Sequence, residues 1–253
     1  MEARLSKLRV YNAIVGVILF VQGVIMWAIS NNASAQITTS YLGKKGTIPG
    51  MPTTLVQNFA VWRLGPIVAT FLLLSGLFLL GSATIWRKRY EEQIQKGMNL
   101  FRWAEYAITS SLMVIVIAIL CGIYDLSTLI LIFSLNVCMI LFGWMMEVHN
   151  QTTKKVDWTA YFFGCFAGAM PWVVMGLYFF SALKAGGDAV PTFVYAIFWS
   201  LFIAFNVFSV NMVLQYAKIG KWKDYIFGEY AYITLSLVAK ALLAWQVWGG
   251  TLR

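Results

Sequence analysis

Seven stretches of this chain are each apolar for about twenty residues or more, the length a helix needs to cross a hydrocarbon core. They are Val10–Ile29, Phe59–Trp86, Leu100–Gly122, Leu126–Val148, Trp158–Leu183, Thr192–Ala217 and Tyr230–Gly249. In lipid every backbone N–H and C=O must find its partner inside the segment, so such runs fold as helices. The sequence therefore predicts an all-α membrane protein, a single bundle of seven transmembrane helices over residues 1–253, with the lipid bilayer as its surroundings. A chain with 60% apolar and 11% charged residues has no polar stretch long enough to be a separate soluble module. No internal repeat or low-complexity segment is present. The three cysteines all lie in apolar runs and give no disulfide framework.

The connections differ in character. Residues 30–58 form a long polar loop rich in glycine and proline (Gly43, Gly46, Pro49, Gly50, Pro52), expected to carry a hairpin. Residues 87–99, 149–157 and 218–229 are charged, Tyr124–Asp125 is a tight turn, and Gly186–Gly187 begins another short loop. The first span has features of a signal peptide: a basic start, an apolar stretch and Ala33-Ser34-Ala35 after it. Its apolar stretch runs past the usual signal length of about 7–15 residues and stays bulky to Trp27 and Ile29, so it reads as a retained helix.

Net charge is +9, but the basic residues sit in short clusters between the apolar runs, which excludes a nucleic-acid face. Twelve fall on the side that holds the amino terminus: Arg4, Lys7, Arg9, Arg87, Lys88, Arg89, Lys96, Lys154, Lys155, Lys218, Lys221 and Lys223. Only Lys44, Lys45, Lys184 and Arg253 fall on the other. The positive-inside rule then predicts a cell-membrane protein with its amino terminus cytoplasmic and its carboxyl terminus extracellular.

Ionisable residues inside the spans are functional candidates by default. Lys240 lies roughly 16 Å into the last span and Glu105 roughly 8–10 Å into the third, both counted from the same side at about 1.5 Å per residue. A cation and an anion at similar depth can lock two helices together. They also suit a reactive amine and its counter-anion, because a buried lysine readily deprotonates and forms Schiff bases with carbonyl ligands. Ser236, four residues before Lys240, lies on the same helical face. Aromatic residues abound, with Pro171-Trp172, Phe202, Phe205 and Trp245 on the later spans; rings at helical spacing serve ordinary packing as readily as a ligand pocket. Arg63 is read as opening the second helix and snorkelling outward. Arg102 reads as an interfacial residue at the start of the third span, and Glu147, Asp224 and Glu229 as edge carboxylates. His149, the one histidine, reads as a solvated edge residue. Gly164 and Gly168 permit close helix contact within the bundle. Residues 85–95 are expected only to anchor a helix end among headgroups.

Several runs together resemble the heliorhodopsins: Phe101-Arg102-Trp103-Ala104-Glu105-Tyr106, Met139-Ile140-Leu141-Phe142-Gly143-Trp144, and Ser236 through Gln246 with Lys240 at its centre. Phe163-Gly164-Cys165, Gly168, Pro171-Trp172 and Gly220-Lys221-Trp222 add to the likeness, which covers nearly the whole chain. The resemblance implies an inverted seven-helix photoreceptor, not an enzyme. It further implies all-trans retinal on Lys240, Glu105 as counterion with Ser236 beside the linkage, isomerisation to the 13-cis form, a slow signalling cycle and a homodimer. Further pocket positions carried over with it are Gln22, Tyr106, Thr109, Asn136, Met139, Trp172, Phe205 and Trp245. One departure stands out. Where the family commonly has two histidines in a polar cluster near the Schiff base, this sequence has Leu19 and Leu79, which cannot hold a proton. Three readings stay open: a light sensor with a cytoplasmic signalling partner, a light-driven or light-gated proton pathway, and a transporter without retinal. The sensor is preferred because the sequence shows no second mid-membrane carboxylate to serve as a proton station.

Overall fold

The computed structural model describes residues 1–43, 53–186 and 191–253. Seven helices long and apolar enough to span a membrane run through these residues. They are α1 (Glu2–Ile29), α2 (Leu64–Ala83), α4 (Leu100–Leu120), α5 (Leu126–His149), α6 (Thr159–Gly186), α7 (Thr192–Tyr216) and α8 (Tyr225–Val247). The eighth helix, α3 (Arg87–Gln95), is a short connector between α2 and α4. The chain is thus a multi-pass membrane protein.

The helices start where their capping chemistry directs. The side chains of Asn99, Asp125 and Asp224 accept backbone N–H bonds from Arg102, Thr128 and Ile226, satisfying donors that the first turns of α4, α5 and α8 leave free. Pro66 falls in the first turn of α2, where its missing N–H costs nothing. Helix α4 is the central element, with Met113 through Ile119 all buried. The outer faces of α1, α5, α6 and α7 keep residues such as Val17, Leu131, Phe166 and Ile203 exposed, as lipid-facing surfaces require. Helices α1 and α2 approach most closely, since a methyl group added at Gly76 would lie 2.8 Å from the Gly16 carbonyl oxygen.

Several expected boundaries move, among them the start of the last helix, which is Tyr225 rather than Tyr230, and the end of the second, which is Ala83 rather than Trp86. The first helix begins at Glu2, well before Val10. Phe59–Arg63, read as the start of the second span, is the end of a strand, because Ala60–Arg63 pairs with Ser34–Ile37 in a hairpin. That hairpin pairs β1 (Ser34–Gly43) with β2 (Thr53–Arg63), antiparallel with a bulge at Ile37/Thr38. Arg63 therefore ends β2 in extended conformation and does not open a helix. Ala35 and Ile37 are buried, and the Thr38 amide donates to the Tyr124 carbonyl at 2.9 Å, fastening the hairpin to the α4–α5 turn. Lys44, Lys45, Gly46, Pro49, Gly50, Pro52, Gly187 and Asp188 lie outside the described residues.

Helix α3 does more than anchor a helix end. Its Tyr90 and Ile94, one turn apart, are buried, and the Tyr90 hydroxyl accepts a 2.9 Å bond from the Asn12 amide of α1. The face of the bundle holding Met1, α3 and the α5–α6 and α7–α8 connections is called the amino-terminal face below; the opposite one is the hairpin face.

Candidate functional site

Lys240 and Glu105 meet in the middle of the bundle. Lys240 Nζ donates to Glu105 Oε1 at 2.8 Å and to Ser236 Oγ at 2.5 Å, and both charged side chains are nearly excluded from the surface. The i, i+4 spacing of Ser236 and Lys240 on α8 places the hydroxyl directly beneath the amine. The Glu105 carboxylate also accepts from Ser75 Oγ at 2.5 Å and Thr109 Oγ1 at 2.6 Å. Three donors on one oxygen hold that anion in a single orientation beside the amine. Ser75 was not legible in advance, because a serine in an apolar helix is commonplace. The Tyr106 ring faces the amine, its centre 5.1 Å from Nζ, as a cation–π partner.

The amine stands at the wall of a mainly apolar cavity among α4, α5, α6, α7 and α8. Its free space is about 130 Å³. Tyr106, Met139, Gly143, Gly164, Phe205, Phe208 and Ala239 line it with Lys240 and Ser236. An apolar aldehyde suits this chamber: rings and thioethers in its walls, one reactive amine, and a fixed anion behind that amine.

The other expected pocket residues divide. Tyr106, Met139 and Phe205 line the cavity; Thr109 does not, and instead bonds Glu105 behind the amine. Asn136 is buried, donating to Ser110 and Ser111 at 2.8 and 3.0 Å. Trp172 packs against Phe198, Phe202 and Phe205, with ring centres 5.3–5.8 Å apart. Gln22 and Trp245 pair with each other at 2.9 Å, and Trp245 is partly exposed; neither is among the residues that line the cavity.

Arg102, read from sequence as interfacial, is buried, and so are the supposed edge carboxylates Glu147 and Glu229. Its guanidinium bonds both of them and lies over the Tyr232 ring at 4.0 Å. Glu147 accepts further bonds from the Asn99 amide N–H (3.0 Å), the Trp103 indole (2.5 Å) and the Tyr225 hydroxyl (2.8 Å). Glu229 accepts one more, from the Asn99 side chain at 2.7 Å. Buried charges persist only when paired and hydrogen-bonded, and the starts of α4 and α8 and the end of α5 converge to supply that shell. Asp224 does sit at the surface, paired with Arg4. His149 is half-exposed beside Asp157 at 3.2 Å, and hydrogen bonds from Thr159, then from His149, hold the Asp157 carboxyl below its usual range.

Between this charged cluster and the Lys240–Glu105 pair lies a second, smaller cavity of about 30 Å³, lined by polar residues of α1, α2, α3, α4 and α8 and by the apolar Phe78, Leu79, Phe101 and Ile233. Leu19 is fully buried in the core.

A sequence profile of the heliorhodopsins matches residues 8–252. The chain belongs to the heliorhodopsin family. Rhodopsin folds also appear among solved structures. The light-driven proton pump of Leptosphaeria maculans superposes with a TM-score of 0.64 at 16% identity, covering 98% of this chain and 95% of that one. The transmembrane domain of the Salpingoeca rosetta rhodopsin phosphodiesterase gives 0.62 at 12% identity, covering 98% and 84%. Exiguobacterium sibiricum rhodopsin gives 0.61 at 11%, covering 99% of each chain. At these identities the likeness is one of fold. A search of curated proteins finds no match. Family and fold together support a retinal-binding membrane photoreceptor.

Proposed function

We propose that this heliorhodopsin-family protein is a light sensor that carries all-trans retinal as a protonated Schiff base on Lys240, with Glu105 as its counterion. The observation that carries the proposal is the buried amine of Lys240 at the cavity wall, held at 2.8 Å by a carboxylate that two hydroxyls orient. Bound retinal supplies visible absorption and the all-trans to 13-cis isomerisation. The chain's own groups do the rest. Glu105 balances the positive charge on the Lys240 nitrogen in a low-dielectric site, where an unpaired charge is costly. Ser236 offers that nitrogen an alternative acceptor within hydrogen-bond reach. The apolar walls exclude bulk water from the linkage. Gln22, Thr109, Asn136, Trp172 and Trp245 belong to the surroundings that tune this site through contacts and bonds one layer out.

The distribution of lysine and arginine supports a cytoplasmic amino-terminal face and an extracellular hairpin face. A homodimer and a cytoplasmic signalling partner complete the proposal, on the family's likeness. A second reading, light-driven proton movement, gains from the buried carboxylates Glu147 and Glu229, which the sequence had placed at the edge.

The deciding experiment expresses the protein with all-trans retinal. The wild type should absorb in the visible and Lys240→Ala should not. A folded, coloured Lys240→Ala would refute the assignment and favour a transporter without retinal.

A further inference from the structure

We propose that Glu229 is the light-driven proton acceptor of this protein, reached through water held in the small cavity between Glu105 and the Arg102 cluster. The inference rests on the retinal reading above and concerns the small cavity that Leu79 helps to line.

Two atoms mark the cavity as a water site. Asn12 Oδ1 and Arg102 Nε are buried without a protein partner, and both residues line it. A buried polar atom left unpaired costs about 1–3 kcal/mol, and a space of about 30 Å³ holds two waters at roughly 10–15 Å³ each. Tyr90 also lines the cavity; burial pushes its hydroxyl up to about 12, so the phenol keeps its proton and can donate it inward.

The cavity touches both ends of a relay. Ser236, bonded to Lys240, lines this cavity and the larger one alike, and Glu105 and Glu229 both face it. The charge balance at the far end leaves room for a proton, since one guanidinium faces two carboxylates. Of the two, Glu147 accepts from four donors and does not line the cavity, whereas Glu229 accepts from two and does. On illumination the Lys240 nitrogen gives up its proton and keeps the bonding pair. The proton passes by way of Glu105 or Ser236 and the waters to a Glu229 carboxylate oxygen, and returns by the same path in the dark. Protonated Glu229 no longer opposes Arg102 as an anion, so the change of charge is delivered near the amino-terminal face.

The test has two arms. In a crystal structure of the protein prepared without retinal, ordered water should lie within hydrogen-bond distance of Asn12 Oδ1 and Arg102 Nε; a dry cavity would overturn the proposal. In retinal-loaded protein, light-minus-dark infrared spectra should show the carbonyl band of a newly protonated carboxylic acid. That band should vanish in Glu229→Gln and persist in Glu147→Gln. If Glu229→Gln does not fold, Asn12→Leu, which keeps the side-chain shape but removes the polar atoms that would hold water, should slow the deprotonation step about 100-fold, the scale of a lost proton carrier; an unchanged rate counts against the relay. A wild type without a visible band overturns the retinal reading and the relay with it. A coloured protein whose acid band survives Glu229→Gln overturns the relay alone.

Discussion

Replacing Arg102 by glutamine tests whether the charged cluster holds the amino-terminal half of the bundle together. The three side chains, Arg102, Glu147 and Glu229, are 4%, 1% and 0% exposed. Removing the guanidinium leaves two buried carboxylates with only Asn99, Trp103 and Tyr225 as donors, and deletes its contact with the Tyr232 ring. Breaking a buried pair from one side costs about 3–5 kcal/mol, because the abandoned charge has no water to return to. For a chain of this size that is roughly 6–20 °C in melting temperature. The control is Arg4→Gln, which removes a half-exposed pair with Asp224 and should cost about 0–1 kcal/mol. Replacing all three cluster residues together by apolar ones should recover most of the loss, since the penalty lies in the imbalance. Melting of the purified protein in detergent, followed by circular dichroism, reads all three. An Arg102→Gln protein that melts with the Arg4→Gln control would refute the reasoning.

Two other outcomes follow from the geometry and a third from the distribution of basic residues. Glu105→Gln removes an attraction of about 6 kcal/mol at 2.8 Å and an effective dielectric constant of about 20; its visible band near neutral pH should move to the near ultraviolet or depend on chloride, and an unaltered spectrum in sulfate buffer would assign the anion elsewhere. Gly143→Ala places a methyl 2.6 Å from the Trp103 ring, so it should cost about 1–3 kcal/mol by overpacking and disturb the indole bond to Glu147, read as a lower melting temperature and altered tryptophan fluorescence. A tag after Arg253 should react with a membrane-impermeant label on intact cells; labelling of an amino-terminal tag instead would reverse the proposed orientation.

The spans were legible because apolar run length is a local property, and lipid leaves the backbone one economical answer. The Lys240–Glu105 pair was legible for a related reason: each residue is conspicuous alone, an ionisable group inside an apolar span. The Arg102 cluster was not. An arginine two residues into a helix looks interfacial from its own helix, and its burial comes from Glu147 and Glu229 on two others. The boundary at Arg63 was missed because Phe59–Trp62 is as apolar as a helix, while the pairing that makes it a strand comes from residues 34–37. Tyr90 was missed among the charges of residues 87–96, its burial set by Asn12 of α1.

The uneven closeness of the helices has a mechanical consequence. Helices α1 and α2 meet backbone to backbone at Gly16 and Gly76, so neither slides without the other. Arg4 with Asp224 and Tyr11 with Thr234 rivet α1 to α8 along its length, and Asn31 grips the carbonyls of Thr251 and Arg253 at the far end. Helices α6 and α7 meet instead through rings, Trp172 against Phe202 and Phe205, with a single hydroxyl bond between Tyr161 and Ser209 at 2.7 Å. Edge-to-face ring contacts bury area without the directional bonds that tie α1 to its neighbours. The bundle is therefore stiff on one flank and compliant on the other, and a ligand that changes length beside Phe205 would strain the compliant flank first.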